Sequence, residues 1–225
     1  MIHLRQAWAI VSKDFALEAR SGQRFSAVVG FAVLTGVLAH YALEPNVVRP
    51  EDVTSLLVWL TIVFAGTGGI GRTFELEDLN GAWDAVLHTP VSRPVLFLAK
   101  VASNTALILI LVAVVLVVVG LFFQIDFFAA PPGFWLAITI GSIGFVAAGT
   151  FFSAITVRSN MGATLLPILL FPLLVPVLVF GATATARSLA GTTAGVAGEL
   201  RLLSAYAILT LVSGALLFSS VVDDA

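Results

Sequence analysis

Residues 101–123 read VASNTALILILVAVVLVVVGLFF, a run without a single charged side chain. About 20 such residues in a helix cross the ~30 Å hydrocarbon core of a bilayer, where no water can satisfy an open backbone N–H or C=O. The run therefore dictates helix and membrane together. Comparable stretches recur, and six spans are predicted: 25–43, 53–71, 94–123, 133–157, 163–184 and 202–222. Only 11% of the 225 residues are charged, against about 25% in an ordinary soluble domain, too few to cover a water-facing surface. The fold class is an all-α polytopic membrane protein. Lys100, near the start of the third span, is expected to snorkel to the surface.

The first 24 residues differ. Leu4, Trp8, Val11 and Phe15 fall on one helical stripe, with Arg5, Lys13 and Arg20 off it. Trp8 suits a membrane–water boundary. Residues 1–24 thus read as an amphipathic helix lying in the interface, or as a helix packed on its neighbours. They are too polar for a signal peptide. The six-helix transmembrane body is 25–225. Arg5, Lys13, Arg20, Arg24, Arg72, Arg93, Lys100 and Arg158 fall on one side of this topology, and Arg49, Arg187 and Arg201 on the other. Basic residues mark the cytoplasmic side, so both termini are expected there, along with 72–94. The connection TARSLAGTTAGVAGELR, 185–201, reads as a short helix or a re-entrant turn.

Several chemistries are excluded. The chain has no cysteine, which removes disulfides and thiolate metal sites. A net charge of −2 gives no basic field for nucleic acid. Gly66–Gly71, GTGGIG, fits a dinucleotide fingerprint, but it closes a span instead of joining a strand to a helix. Its glycines more plausibly allow close helix approach or loosen the helix end. There is no P-loop for ATP. His3, His40 and His88 are not at metal-binding spacing. His40, near the far end of the first span, is the one candidate cofactor contact, with headgroup contact as the plainer reading. No intramembrane carboxylate pair, nucleophile or metal set suggests an enzyme. Pro167, Pro172 and Pro176 punctuate the fifth span and predict a kinked or broken helix, either along a transport route or as static packing.

One dense polar strip interrupts the apolar chain: RTFELEDLNGAWDAVLHTPVSRP, 72–94. As a helix it places Leu76, Leu79, Trp83, Val86 and Leu87 on one side, and Glu77, Asp84 and His88 on another with Asp78 nearby. Thr73 is placed to cap its start, Asn80-Gly81 to bend it, and Ser92 to cap the next span, whose first turn accepts Pro94. A bent amphipathic surface element of this kind suits docking better than a solvated loop does.

The stretch RTFELEDLNGA, then TPVSRPVLFLAK ending at Lys100, and the proline-rich LLPILLFPLLVPVLVFGAT together resemble the CcmB family. The likeness covers nearly the whole chain; it departs where Trp83-Asp84 stands one place beyond the family's Leu-Glu. CcmB proteins are membrane subunits of an ABC-type haem exporter in cytochrome c maturation. The resemblance implies a type-II-like ABC permease in the cytoplasmic membrane, with haem as cargo and ATP bound by a partner. The implied partners are a CcmA-like ATPase, a second copy of the chain, membrane lipid, and CcmC-like, CcmD-like and haem-chaperone CcmE-like proteins. By position, Glu75, Leu76, Asp78, Leu79, Gly81, Trp83, Asp84 and Leu87 would form the ATPase-coupling surface, with Arg158 and Asn160 as a second contact. A permease for another amphipathic cargo, such as a lipid or glycan, and a scaffold without its own transport path remain open.

Overall fold

The computed structural model describes residues 2–21, 23–42, 49–79, 91–156 and 162–223, with backbone alone for 71–79 and a few other residues near helix ends. These residues form seven α-helices. They are α1 (Ile2–Ser21), α2 (Gln23–Ala42), α3 (Pro50–Leu79), α4 (Arg93–Phe123), α5 (Pro132–Thr156), α6 (Gly162–Leu189) and α7 (Val196–Asp223), with a 3-10 turn at Phe127–Ala129. No strand occurs among the described residues.

Among the described residues, five segments are long and apolar enough to cross a membrane: Pro50–Ile70, Arg93–Phe123, Pro132–Thr156, Leu166–Leu189 and Val196–Val221. The chain is a multi-pass, all-helical membrane protein. In α2 the apolar stretch Ser26–Tyr41 is shorter, about 24 Å at 1.5 Å per residue against a core of ~30 Å. The predicted first span, 25–43, lies within α2 up to Ala42; residue 43 lies outside the described residues.

Successive spans run antiparallel, as short connections require. At one end the start of α4 meets the end of α7 through Phe97 and Phe218, whose ring centroids are 5.5 Å apart. At the other, the start of α3 meets the end of α6. There Ser55 donates its hydroxyl to the Ala182 carbonyl at 2.8 Å, and the Trp59 indole N–H donates to Thr185 Oγ1 at 3.1 Å. α5 sits in the middle, packed on α3, α4, α6 and α7, and most of its residues are buried.

Trp59 is the wedge of this core. Its ring fills the space above Gly141 of α5 and Gly181 of α6, where any Cβ would overlap it. Gly66 plays the same part beneath the Phe145 ring, so of the two roles open to the 66–71 glycines, close approach holds at this position. The helix does not loosen there; it continues to Leu79.

Two expectations change. Of the kinked or broken helix expected at the fifth span, the break does not occur: α6 is continuous from Gly162 to Leu189 although Pro167, Pro172 and Pro176 lie inside it. Each proline deletes one rung, the bond to the carbonyl four residues back at Ala163, Ile168 and Pro172, while the bonds between them remain available. The 185–201 connection is neither a separate helix nor re-entrant. α6 runs on to Leu189 and α7 starts at Val196, so only a tight turn remains. It depends on the left-handed Gly191 and Gly195, φ +71 and +87, conformations that cost glycine no Cβ clash. Arg187 spans the turn to pair with Glu199.

Replacing Gly181 with Val should force Trp59 out of its slot at a cost of about 1–3 kcal/mol or more, the range for overpacked cores. Thermal denaturation in detergent should show a clear fall in Tm. Gly198→Ala, with nothing within 4 Å of the added carbon, should leave the Tm unchanged or slightly higher.

Candidate functional site

The polar strip starts as an overhang of a spanning helix. The apolar part of α3, Pro50–Ile70, is 21 residues, and the helix carries on to Leu79. Those further nine residues project about 14 Å at 1.5 Å each. The exit point is fixed: the Ser153 hydroxyl donates to the Ile70 carbonyl at 3.0 Å, and Ile70 packs over Gly149. Arg72, Glu75, Leu76, Glu77, Asp78 and Leu79 therefore share one helical backbone with the membrane span. Thr73 lies inside that helix and not at a helix start, because the Glu- and Leu-rich stretch after Gly71 favours continuing the helix. Gly81, Trp83, Asp84, Leu87 and His88 lie outside the described residues, as do Arg158 and Asn160.

The strip rejoins the membrane at Ser92, which occupies the N-cap of α4 in extended conformation, with Pro94 in the first turn as predicted. Ser92 makes no side-chain cap bond; its carbonyl accepts the first helical bond, from Leu96 N–H at 3.1 Å.

Lys100, two turns into α4, does not snorkel. It is 1% exposed, and its Nζ donates to Asp14 Oδ1 at 3.0 Å. The other carboxylate oxygen, Oδ2, accepts from the Ser103 hydroxyl at 2.9 Å. Lys13 Nζ lies 3.7 Å from Oδ1 on the exposed side. The Asn104 amide donates to the Lys100 carbonyl at 3.1 Å, adding a third buried polar side chain to the same helix face. A buried ammonium is tolerated only when paired and hydrogen-bonded, and removing one partner of such a pair typically costs about 3–5 kcal/mol. The contact fixes which face of α1 meets the bundle. Ile10 packs against the core, Val11 and Phe15 are half-buried, and Trp8, the second residue of the predicted stripe, is 72% exposed. The packed-helix reading of α1 applies to the face that carries Asp14 and Ile10. Lys100, Ser103 and Asn104, at i, i+3 and i+4 in an apolar span, were the available signal for a polar contact. Nothing local singled out Asp14 from Glu18.

At the opposite end His40 closes α2 among aromatic rings: Tyr41 at 5.3 Å, Phe122 at 6.0 Å and Phe123 at 6.1 Å between centroids. His40 and Tyr41 are exposed, at a level suited to headgroups. The three prolines of α6 are not gathered at one place. Pro172 lies on an exposed apolar stripe with Ile168, Phe171, Val175 and Val179, while Pro167 and Pro176 are half-buried.

The fold and this distribution of polar groups define a class: a polytopic helical membrane protein in which α3 carries its helix beyond the apolar span into a polar overhang. The CcmB family, described as CcmB protein, matches residues 5–223, and the chain belongs to it. It is similar to heme exporter protein B of Rhodobacter capsulatus, 29% identical over 188 residues covering 81% of this chain and 84% of the relative. Heme exporter protein B of Paracoccus denitrificans is 26% identical over 185 residues, with the same coverage. Heme exporter protein B of Bradyrhizobium diazoefficiens is 23% identical over 206 residues, 92% of each chain.

Pro176→Ala would return a donor to the Pro172 carbonyl. Helix-interior proline costs about 3 kcal/mol, partly offset in a bundle by neighbours. The substitution should therefore raise the Tm and slow amide hydrogen exchange around 172–176.

Proposed function

We propose that this chain is the membrane permease subunit of an ABC-type haem exporter serving cytochrome c maturation in the cytoplasmic membrane. The observation that carries the reading is the family match along 5–223, supported by three relatives that each bear the name heme exporter protein B. The chain would work as a pair, with two copies of a separate CcmA-like ATPase and with CcmC-like, CcmD-like and CcmE-like proteins. Both termini and the 72–94 strip would face the cytoplasm, and α2 would be the remaining one of six spans.

In this reading the strip is where ATP-driven closure of the ATPase acts. A transporter opens only if its partner binds two states of the bundle unequally, and a rigid overhang on α3 delivers that bias into the core beside Ile70 and Ser153. Leu76, Leu79, Trp83 and Leu87 would supply apolar anchors, Gly81 the bend, and Glu75, Asp78 and Asp84 the charges that meet basic groups of the ATPase. Arg158 and Asn160 would form a second contact. Export of haem through the bundle and release of a haem chaperone driven by the same ATPase are both compatible with this coupling.

Reversing Asp78 and Asp84 to Lys together should cut recovery of the ATPase in a pull-down about tenfold, the scale of two charge contacts at an interface, with the amount of chain in the membrane unchanged. Unchanged recovery would rule out the docking surface. A deletion strain should lose c-type cytochromes; normal levels would point to another amphipathic cargo.

A further inference from the structure

We propose that the buried Asp14–Lys100–Ser103 contact is the joint through which motion of the strip reaches α1, so that α1 and the first turns of α4 move as one body. The proposal rests on the coupling role given above to 72–94.

Three observations carry it. First, α1 packs on α4 and only lightly on α2, although α2 begins just after it in sequence. Its firm attachment is to the helix that emerges from the strip. Second, Lys100 lies seven residues beyond Arg93, where α4 begins, about 10 Å along the axis. Third, both oxygens of Asp14 are held, one by the Lys100 ammonium at 3.0 Å and one by the Ser103 hydroxyl at 2.9 Å. Apolar contacts between helices can slide, whereas two charge-assisted bonds to one carboxylate fix both position and direction.

Stability alone does not account for the arrangement. Apolar side chains of similar volume in place of a buried ion pair are often neutral or stabilising. What the pair adds is a fixed register between α1 and α4. The exposed arc of α1 has Trp8 at one edge and Leu17 at the other, with Arg5, Ser12 and Lys13 between them, apolar flanks and a polar back that suit a helix lying along the membrane interface. Displacement of α4 by the strip would then swing an interfacial helix along with it.

The cysteine-free sequence allows spin labels to be placed unambiguously. Ala16, Ala27 and Ala102 are exposed, so Ala16→Cys with Ala102→Cys reports α1 against α4, and Ala16→Cys with Ala27→Cys reports α1 against α2. The full complex with its ATPase, in lipid nanodiscs, is measured without nucleotide and trapped with ATP. The α1–α4 distance should hold within about 2 Å, the scale of ordinary helix shifts, while the α1–α2 distance changes by more. Asp14→Leu with Lys100→Leu removes both charges together. It should keep membrane abundance, broaden the α1–α4 distance in the ATP state, and lower cytochrome output per ATP hydrolysed about tenfold. Ser103→Ala, which keeps the ion pair, should give a smaller change in the same direction.

An α1–α4 distance that moves as much as α1–α2, no movement in either pair, or native behaviour of the variants would overturn the proposal. Failure to recover the ATPase with the native chain would instead strike the docking surface itself, a separate result.

Discussion

Helices in hydrocarbon gain little by hiding apolar surface from lipid that is equally apolar, so they must hold together by close packing and by bonds between helices. α5 answers that constraint. Along it Gly141 admits the Trp59 ring, Gly144 lies under Tyr206, Gly149 lies under Ile70, and Ser153 donates to the Ile70 carbonyl. Because α5 accepts large side chains from its neighbours at these points, α3 and α7 are seated at fixed depths on it. α6 is joined to the same core by Trp59–Thr185 and Ser55–Ala182, which helps it remain one helix despite three prolines.

The polar chemistry is distributed with equal economy. Among the described residues, charged side chains sit at the ends of the spans, apart from the inward Asp14–Lys100 pair. That pair ties α1 to the helix that follows the strip, while Ser153–Ile70 ties the helix that precedes the strip to the bundle centre. The two arms of the strip are therefore both rooted in specific polar contacts, one at the protein centre and one at its edge.

Much of this architecture was readable from sequence because hydrocarbon imposes a single local rule. The predicted span 133–157 meets α5 at Pro132–Thr156, and 163–184 begins one residue from α6. Errors arose where that rule is silent. The Gly-, Ala- and Thr-rich 185–201 read as a short helix or a re-entrant turn, yet α6 persists to Leu189 and Arg187 pairs with Glu199 across a glycine turn. Lys100 looked like a surface lysine because its partner is 86 residues away, and no periodicity reports pairing at that range. The strip stood out by composition, and its first residues continue a helix because no breaker precedes Asn80. Its remaining side chains answer to a surface outside this chain, which one sequence does not contain.

The continuity of α3 has a mechanical corollary. Trp59 lies nine residues from Pro50 and twenty from Leu79, and it is the point where the rod is gripped on two sides, by α5 and α6. The same rod is held at three further levels, by Ser55 on the Ala182 carbonyl, by Gly66 beneath the Phe145 ring and by Ile70 on Ser153. Gripped along its length, α3 is a fixed post from which the residues beyond Ile70 extend as a cantilever.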